Sequence, residues 1–282
     1  MKLAWLTDLH LNFLNKNERI GFYQTIISAK INAVLISGDS AEATSICDIL
    51  KEMAYQIEKP IYFVLGNHDY YKKSVAYVRT EIVALSKMNT LLKWLPYSGI
   101  HELETGTLLV GTDGFADGRY GNYEKDPVSL NDSILIAELY QEKLLSRFHL
   151  QHKMQQLADN DAAQLYRDLQ IGLHTYNPKR IIILTHVPPF PELCIYQGRQ
   201  TDSDFLPFFS SKATGDVLLA IAHNYPSVEF YTFCGHTHNY AHAQLIPNLT
   251  VTAGAAEYYF PTIQKIISIS SWGITKNDSP QN

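Results

Sequence analysis

The chain has 282 residues, 46% of them hydrophobic, enough to bury a full-sized core without disulfides or obligatory assembly. Its formal charge of −5 supplies no general attraction to nucleic acid or anionic membrane, so a local positive site would have to come from bound metal. No uncharged apolar run reaches membrane-spanning length, and Asp8 and His10 interrupt the apolar start too early for an export signal, so a cytoplasmic protein is expected.

In chain order, Lys2–Thr7 is the first of several short apolar runs with the length of a buried strand. Glu18–Ile31 then places Ile20, Tyr23, Ile27 and Ile31 at helical spacing. Ala33–Ser37 is strand-like again, Ala41–Ile57 is helical through Ile46, Ile49, Leu50, Met53 and Ile57, and Ile61–Leu65 is a third strand. This β-α-β-α-β opening predicts a sheet covered by helices with right-handed crossovers. Gly111–Arg119 reads as a Gly- and Asp-rich loop. From Ser133 to Tyr176 the period is helical, with Leu150, Met154, Leu157, Ala162, Leu165, Leu169, Leu173 and Tyr176 in one apolar stripe. Residues 114–176 are therefore expected to be a helical insertion that caps the site or mediates self-association. Arg180–Thr185 and Val228–Cys234 are two more buried strands. After Pro247, Thr250–Ala253 and Thr262–Ser270 are expected as a meander in a second sheet, and 271–282 as a polar tail on a single domain spanning 1–282.

The five buried strands all end in polar groups: Asp8-Leu9-His10, Gly38-Asp39, Gly66-Asn67-His68-Asp69, His186 and Gly235-His236-Thr237-His238. In α/β sheets, groups just beyond the carboxyl ends of strands converge on one crevice. Alternation along extended chain would put Asp8 with His10, and His236 with His238, on shared faces. Two carboxylates, an amide carbonyl and several imidazoles, without thiolate, suit Mn, Fe or Zn. Asp39 has two oxygens and can bridge a pair of ions. Two divalent ions less Asp8, Asp39 and a hydroxide leave a charge of about +1, which attracts phosphate.

This ordered set, from residue 8 to residue 238, resembles the calcineurin-like metallophosphoesterase superfamily. The resemblance implies a four-layer α/β/β/α sandwich of two mixed sheets flanked by helices, here with a helical insertion. It implies Asp8, His10, Asp39 and His238 on one ion and Asp39, Asn67, His186 and His236 on the other. His68 would assist the reaction without ligating metal, and Asp69 would orient it. Glu42 stands where the family often has Asp, and Glu42-Ala43-Thr44 lacks the arginine that protein Ser/Thr phosphatases carry there.

The expected activity is hydrolysis of a phosphate ester by a hydroxide formed at the metal pair, with His68 protonating the departing oxygen. A diester is favoured because no arginine accompanies the motifs. The alternatives are a phosphomonoesterase, protein phosphatases included, a nuclease, or a non-catalytic, metal-dependent phosphate-binding module. A small phosphorylated substrate is expected, since no basic track serves nucleic acid. Asp113, Asp117, Arg119, Tyr120 and Arg199 are secondary candidates for substrate contact, while Tyr70 and Tyr71 read as packing. His101, His149, His152, His174, His223 and His242 read as structural, and Cys47, Cys194 and Cys234 as idle thiols.

Overall fold

A computed structural model describes residues 1–124 and 128–271; the expected polar tail lies outside the described residues beyond 271. The first half runs β1 (Lys2–Leu6), α1 (Lys16–Ser28), β2 (Ala33–Ser37), α2 (Ile46–Ile57), β3 (Ile61–Val64), α3 (Val75–Met88), β4 (Leu92–Trp94), α4 (Leu95–Ser98), β5 (His101–Glu104) and β6 (Thr107–Gly111). Next come α5 (Asp132–Leu135), α6 (Ala137–Leu145), α7 (Arg147–Tyr176), β7 (Arg180–Leu184), the small strands β8 (Ile195–Tyr196) and β9 (Arg199–Gln200), α8 (Leu206–Phe209) and α9 (Lys212–Asn224). The last strands are β10 (Glu229–Cys234), β11 (Ala241–Ile246), β12 (Leu249–Ala253) and β13 (Lys265–Ser268).

Two mixed sheets result. One has the order β13-β1-β2-β3-β4, parallel except for β13; the other has the order β11-β12-β10-β7-β6-β5, antiparallel at both edges. Alternation along the strands sorts the side chains into layers. Leu3, Trp5 and Leu35 meet Leu109, Ile182, Leu184 and Phe233 between the sheets. Ala4, Leu6, Val34 and Ile36 face the other way, against Tyr23, Ile26, Leu50 and Met53 of α1 and α2. With both faces covered, these strands carry continuous apolar runs. The architecture is the expected four-layer sandwich. Trp5 lies 4.7 Å from the Phe233 ring and donates its Nε1–H to Ser37 Oγ at 2.9 Å, so it joins the two sheets and two strands of one. Truncating such a ring costs about 3–5 kcal/mol.

Local signals set the element boundaries. Asn15 Oδ1 accepts from Asn17 and Glu18 N–H while Glu18 returns a bond to Asn15 N–H, a capping box that fixes the start of α1. The second helix begins at Ile46 rather than Ala41, because residues 41–45 form turns beside the site. Helix α7 has 30 residues, about 45 Å at the standard rise. Its Leu150, Met154 and Ala158 join the core of the first sheet, and its Leu165, Leu169 and Leu173 that of the second. The amphipathic stripe is thus largely buried within the chain, with Leu157 half-buried and Tyr176 at its end exposed.

The expected meander is overturned: β12 lies in the second sheet, parallel to β10, whereas β13 crosses to pair antiparallel with β1 in the first. Loop 254–264 makes that crossing over the carboxyl ends of both sheets. Among the described residues, no helix is long and apolar enough to cross a membrane.

Candidate metal centre

Where the parallel strands stop, their ladder continues as single hydrogen bonds between loops. Asp8 N–H donates to Gly38 O, His10 N–H to Asp39 O, His186 N–H to Asp113 O and Gly235 N–H to His186 O, all at 2.8–3.1 Å. These bonds bring the polar motifs of both sheets into one crevice. The convergence is not strand alternation, as expected for the Asp8/His10 and His236/His238 pairs. Asp8, His10, Asp39, His236 and His238 all have positive φ, between 43° and 73°, so the chain curls over the crevice through left-handed residues. That conformation costs about 1–2 kcal/mol for an ordinary residue and less for Asp or His. The glycines act by close approach. A Cβ on Gly66 would sit 2.1 Å from Asp39 Oδ1, and one on Gly235 2.1 Å from both Asp8 Oδ2 and Thr7 Oγ1.

The seven side chains Asp8, His10, Asp39, Asn67, His186, His236 and His238 form two groups. In one, His10 Nε2 lies 3.2 Å from His238 Nε2, which lies 3.5 Å from Asp8 Oδ1. In the other, Asn67 Oδ1 lies 2.9 Å from His186 Nε2 and 3.0 Å from His236 Nδ1. Asp39 Oδ2 stands between them, 3.8 Å from His10 Nε2 and 3.4 Å from His186 Nε2. Ligands about 2 Å from one ion lie roughly 3 Å apart, so these separations fit divalent metal.

Hydrogen bonds behind the rings aim their nitrogens. His186 Nδ1–H donates to Ser37 O at 2.9 Å and His236 Nε2–H to Phe208 O at 2.9 Å, leaving the other nitrogen of each ring facing the Asn67 carbonyl. The Asn67 amide is oriented in turn, its Nδ2 donating to Asp132 Oδ1 at 2.8 Å and Tyr71 OH at 3.2 Å. Three acceptor atoms so close need a cation between them, or a proton on His186. Burial disfavours that proton, but the Asp39 and Asp8 charges outweigh burial and hold the His186 pKa up at about 10. Burial alone would raise the Asp8 carboxyl, yet the His238 bond and the His186 charge bring it down to about 2. Burial pulls His10 down to about 4, against Asp39 and Asp8. The carboxylates are thus ionised and His10 is neutral near pH 7, the forms that bind metal, whereas His186 keeps a proton that a metal ion would have to displace.

His68 is in the same crevice, and its ring nitrogens can join His10 and Asp39 in one cluster of donors. Its ring stacks on Tyr71 at 4.2 Å and stands edge-on to His10 at 4.6 Å. Asp69 does not orient that ring. Its oxygens accept from Asp39 N–H, Ala41 N–H and Gly66 N–H at 2.8–2.9 Å, tying the loop after β2 to the loop after β3. Glu42 pairs with Lys72 at the surface. Asp113 and Asp117 are buried and structural. Asp113 accepts from Leu65 N–H, Tyr70 OH, Trp94 Nε1 and Arg79, and Asp117 from Arg119 and Ala213 N–H. Arg199 is exposed on the β8–β9 hairpin.

Three groups at the crevice carry no motif in the sequence: Asp132 from α5, the Phe208 carbonyl, and Tyr258, whose ring is 4.6 Å from His10 and 5.0 Å from His238. Only Tyr258 had a signal, the run Tyr258-Tyr259-Phe260 in a loop rich in small residues.

The model of the calcineurin-like phosphoesterase family matches residues 1–240, which hold all seven side chains. The chain belongs to that family. Among solved structures, this calcineurin-like phosphoesterase is similar to a dimetal phosphatase from Danio rerio, with 12% identity, 91% of this chain and 87% of that one covered, and a TM-score of 0.57. It is also similar to the phosphopantetheinyl hydrolase from Mycobacterium tuberculosis, with 13% identity, 92% and 90% covered, and a TM-score of 0.64. At these identities the likeness is one of fold. Comparison with curated proteins gives no match.

Proposed function

We propose that this phosphoesterase hydrolyses a small phosphate ester, a diester ahead of a monoester, at two divalent ions of the Mn, Fe or Zn type. The observation that carries this is Asp39, whose Oδ2 faces one histidine of each donor group, at 3.8 and 3.4 Å. Asp8, His10, Asp39 and His238 would hold one ion, and Asp39, Asn67, His186 and His236 the other. When bound, such a pair neutralises phosphate charge and lowers the pKa of water.

The chain's own residues do the rest. Second contacts from Ser37, Phe208 and Asp132 fix the ligating atoms before substrate arrives. His68, edge-on to His10 and steadied by Tyr71, is placed to donate a proton to the departing oxygen. The ion pairs found for Asp8 and Asp39 among the described residues are with histidines, which favours the singly charged diester over the monoester dianion. The nearby cation Arg79 is committed to Asp113 and Asp161.

Elemental analysis of wild type and Asp39→Ala, with turnover of paired aryl monoester and diester substrates after Mn reconstitution, tests this reading. Two ions per chain, loss of metal in the variant and faster diester turnover are expected. One ion with an active variant would refute the two-metal reading, and a strong monoester preference would refute the diester assignment.

A further inference from the structure

Loop 254–264 brings a set of aromatic rings to the mouth of the crevice. Tyr258 packs against His10 and His238, and Phe13, from the turn after His10, stands 5.5 Å from Tyr258 and 5.6 Å from Tyr259. These rings keep open faces: Phe13 is 39% exposed, Tyr258 40% and Tyr259 61%. Contiguous exposed aromatics beside a polar cleft mark a surface kept for a ligand.

The loop is braced to hold them. Ala256 N–H donates to His238 O at 3.1 Å, so the ring-bearing segment is anchored to a residue of the crevice itself. Gln264 closes the loop base, accepting from Ala255 N–H at 3.0 Å and donating to Ala255 O at 2.7 Å. At the tip, Phe260 N–H bonds Glu257 O at 3.1 Å around Tyr259, whose φ is 72°. A bulky non-glycine residue at positive φ is strained, and core packing does not explain it in a side chain this exposed.

Tyr258 touches both histidines, Phe13 borders His10 with ring centroids 6.1 Å apart, and Tyr259 stands beyond them against Phe13. A phosphate in the crevice would therefore set its substituent against Tyr258 and the next group against Tyr259. Flat faces with hydroxyl edges suit a planar, polar-edged group better than an acyl chain.

We propose that Phe13, Tyr258 and Tyr259 form a stacking subsite for the organic part of the substrate, which carries a nucleobase. This rests on reading the crevice as a phosphoester site. Stacking on aromatic side chains is tolerant of base identity, so purine and pyrimidine nucleotides both bind.

The test uses the metal-loaded protein with whichever aryl phosphate ester it turns over as reporter. Adenosine 5′-monophosphate, uridine 5′-monophosphate and ribose 5-phosphate compete against it, since they share a phosphate and a ribose and differ in the base. Both nucleotides should inhibit about 5- to 150-fold more tightly than ribose 5-phosphate, the range given by stacking of one base. Tyr258→Ala and Tyr259→Ala should each narrow that ratio toward one, and Tyr258→Phe should keep it. Tyr259 is at an exposed loop tip, so its variant tests the subsite even if Tyr258→Ala fails to fold. Equal inhibition by all three compounds, or a ratio unchanged in Tyr259→Ala and Tyr258→Ala, would overturn the subsite while leaving the phosphoesterase reading intact. Absence of any reporter turnover would instead remove the reading on which it rests.

Discussion

A Cβ added at Gly235 would meet Asp8 Oδ2 and Thr7 Oγ1, both at 2.1 Å. Ordinary contact begins near 3.4 Å, so in Gly235→Ala the Asp8 carboxylate or the His236 loop must retreat by about 1.3 Å. Asp8 has little freedom to do so, because it accepts from Thr7 Oγ1–H at 2.8 Å and from His236 N–H at 3.0 and 3.1 Å. Overpacking of this kind costs about 1–3 kcal/mol, which for a chain this size lowers the melting temperature by up to about 10 °C. The larger effect falls on function. A misplacement near 1 Å at a reacting centre is worth about 10²-fold in rate, and the ion nearest Asp8 should be held more weakly. Metal content after dialysis, thermal unfolding and kcat on an aryl ester, measured together, separate these effects. A variant with both ions, wild-type kcat and only a small loss of stability would refute the view that these glycines exist to let carboxylates approach.

His68→Asn should keep its metal and lose about 10²–10⁴-fold in kcat on esters with poor leaving groups, and less on nitrophenyl esters; equal losses on both would assign His68 to phosphate binding instead. Asp132→Ala leaves the Asn67 amide held only through its longer bond to Tyr71 OH, so metal affinity in a chelator titration should fall about 10–100-fold, and unchanged affinity would show that Asp132 does not orient it. Asp161→Ala leaves Arg79 paired with Asp113 but removes its second carboxylate and the acceptor of Gly114 N–H, and should cost about 1–3 kcal/mol in denaturant unfolding; no measurable loss would mean that water replaces both bonds.

The parts of the site carried by strand ends were legible in the sequence, because a parallel strand buried on both faces is a continuous apolar run and its end is marked by the first polar residue. Asp8, Asp39, Asn67, His186 and His236 all stand two or three residues past the end of a strand. What extended geometry suggested for Asp8 with His10 failed because strand alternation ends where the strand does, and left-handed residues then steer the chain. Asp69 was misassigned for a related reason: a neighbour in sequence to His68 turned back toward three backbone amides. Elements whose burial depends on distant partners gave weak signals. Strand β4 has three residues, and β5 alternates charged Glu102 and Glu104 at a sheet edge. Helix α3 carries Val75, Val78, Ile82 and Leu85 at helical spacing, a pattern that was available but stands beside a conspicuous motif. Asp132 and Tyr258 reach the crevice only through tertiary placement, 65 residues from Asn67 in one case and 20 from His238 in the other.

The pairing of Lys2 with Ser268 joins strands far apart in the sequence. While the chain is growing, β1 can pair with β2 soon after both emerge, but its other edge stays open until β13 arrives more than 200 residues later. Leu3 and Trp5 likewise wait for Ile182, Leu184 and Phe233 before their side of the sheet is covered. Such long-range closure is slow, and an unpaired, apolar edge is a template for association with other nascent chains. The crossing that carries Tyr258 over the crevice is therefore also the step that seals the first sheet, so a chain stalled before residue 254 would lack both its site wall and its protection from aggregation.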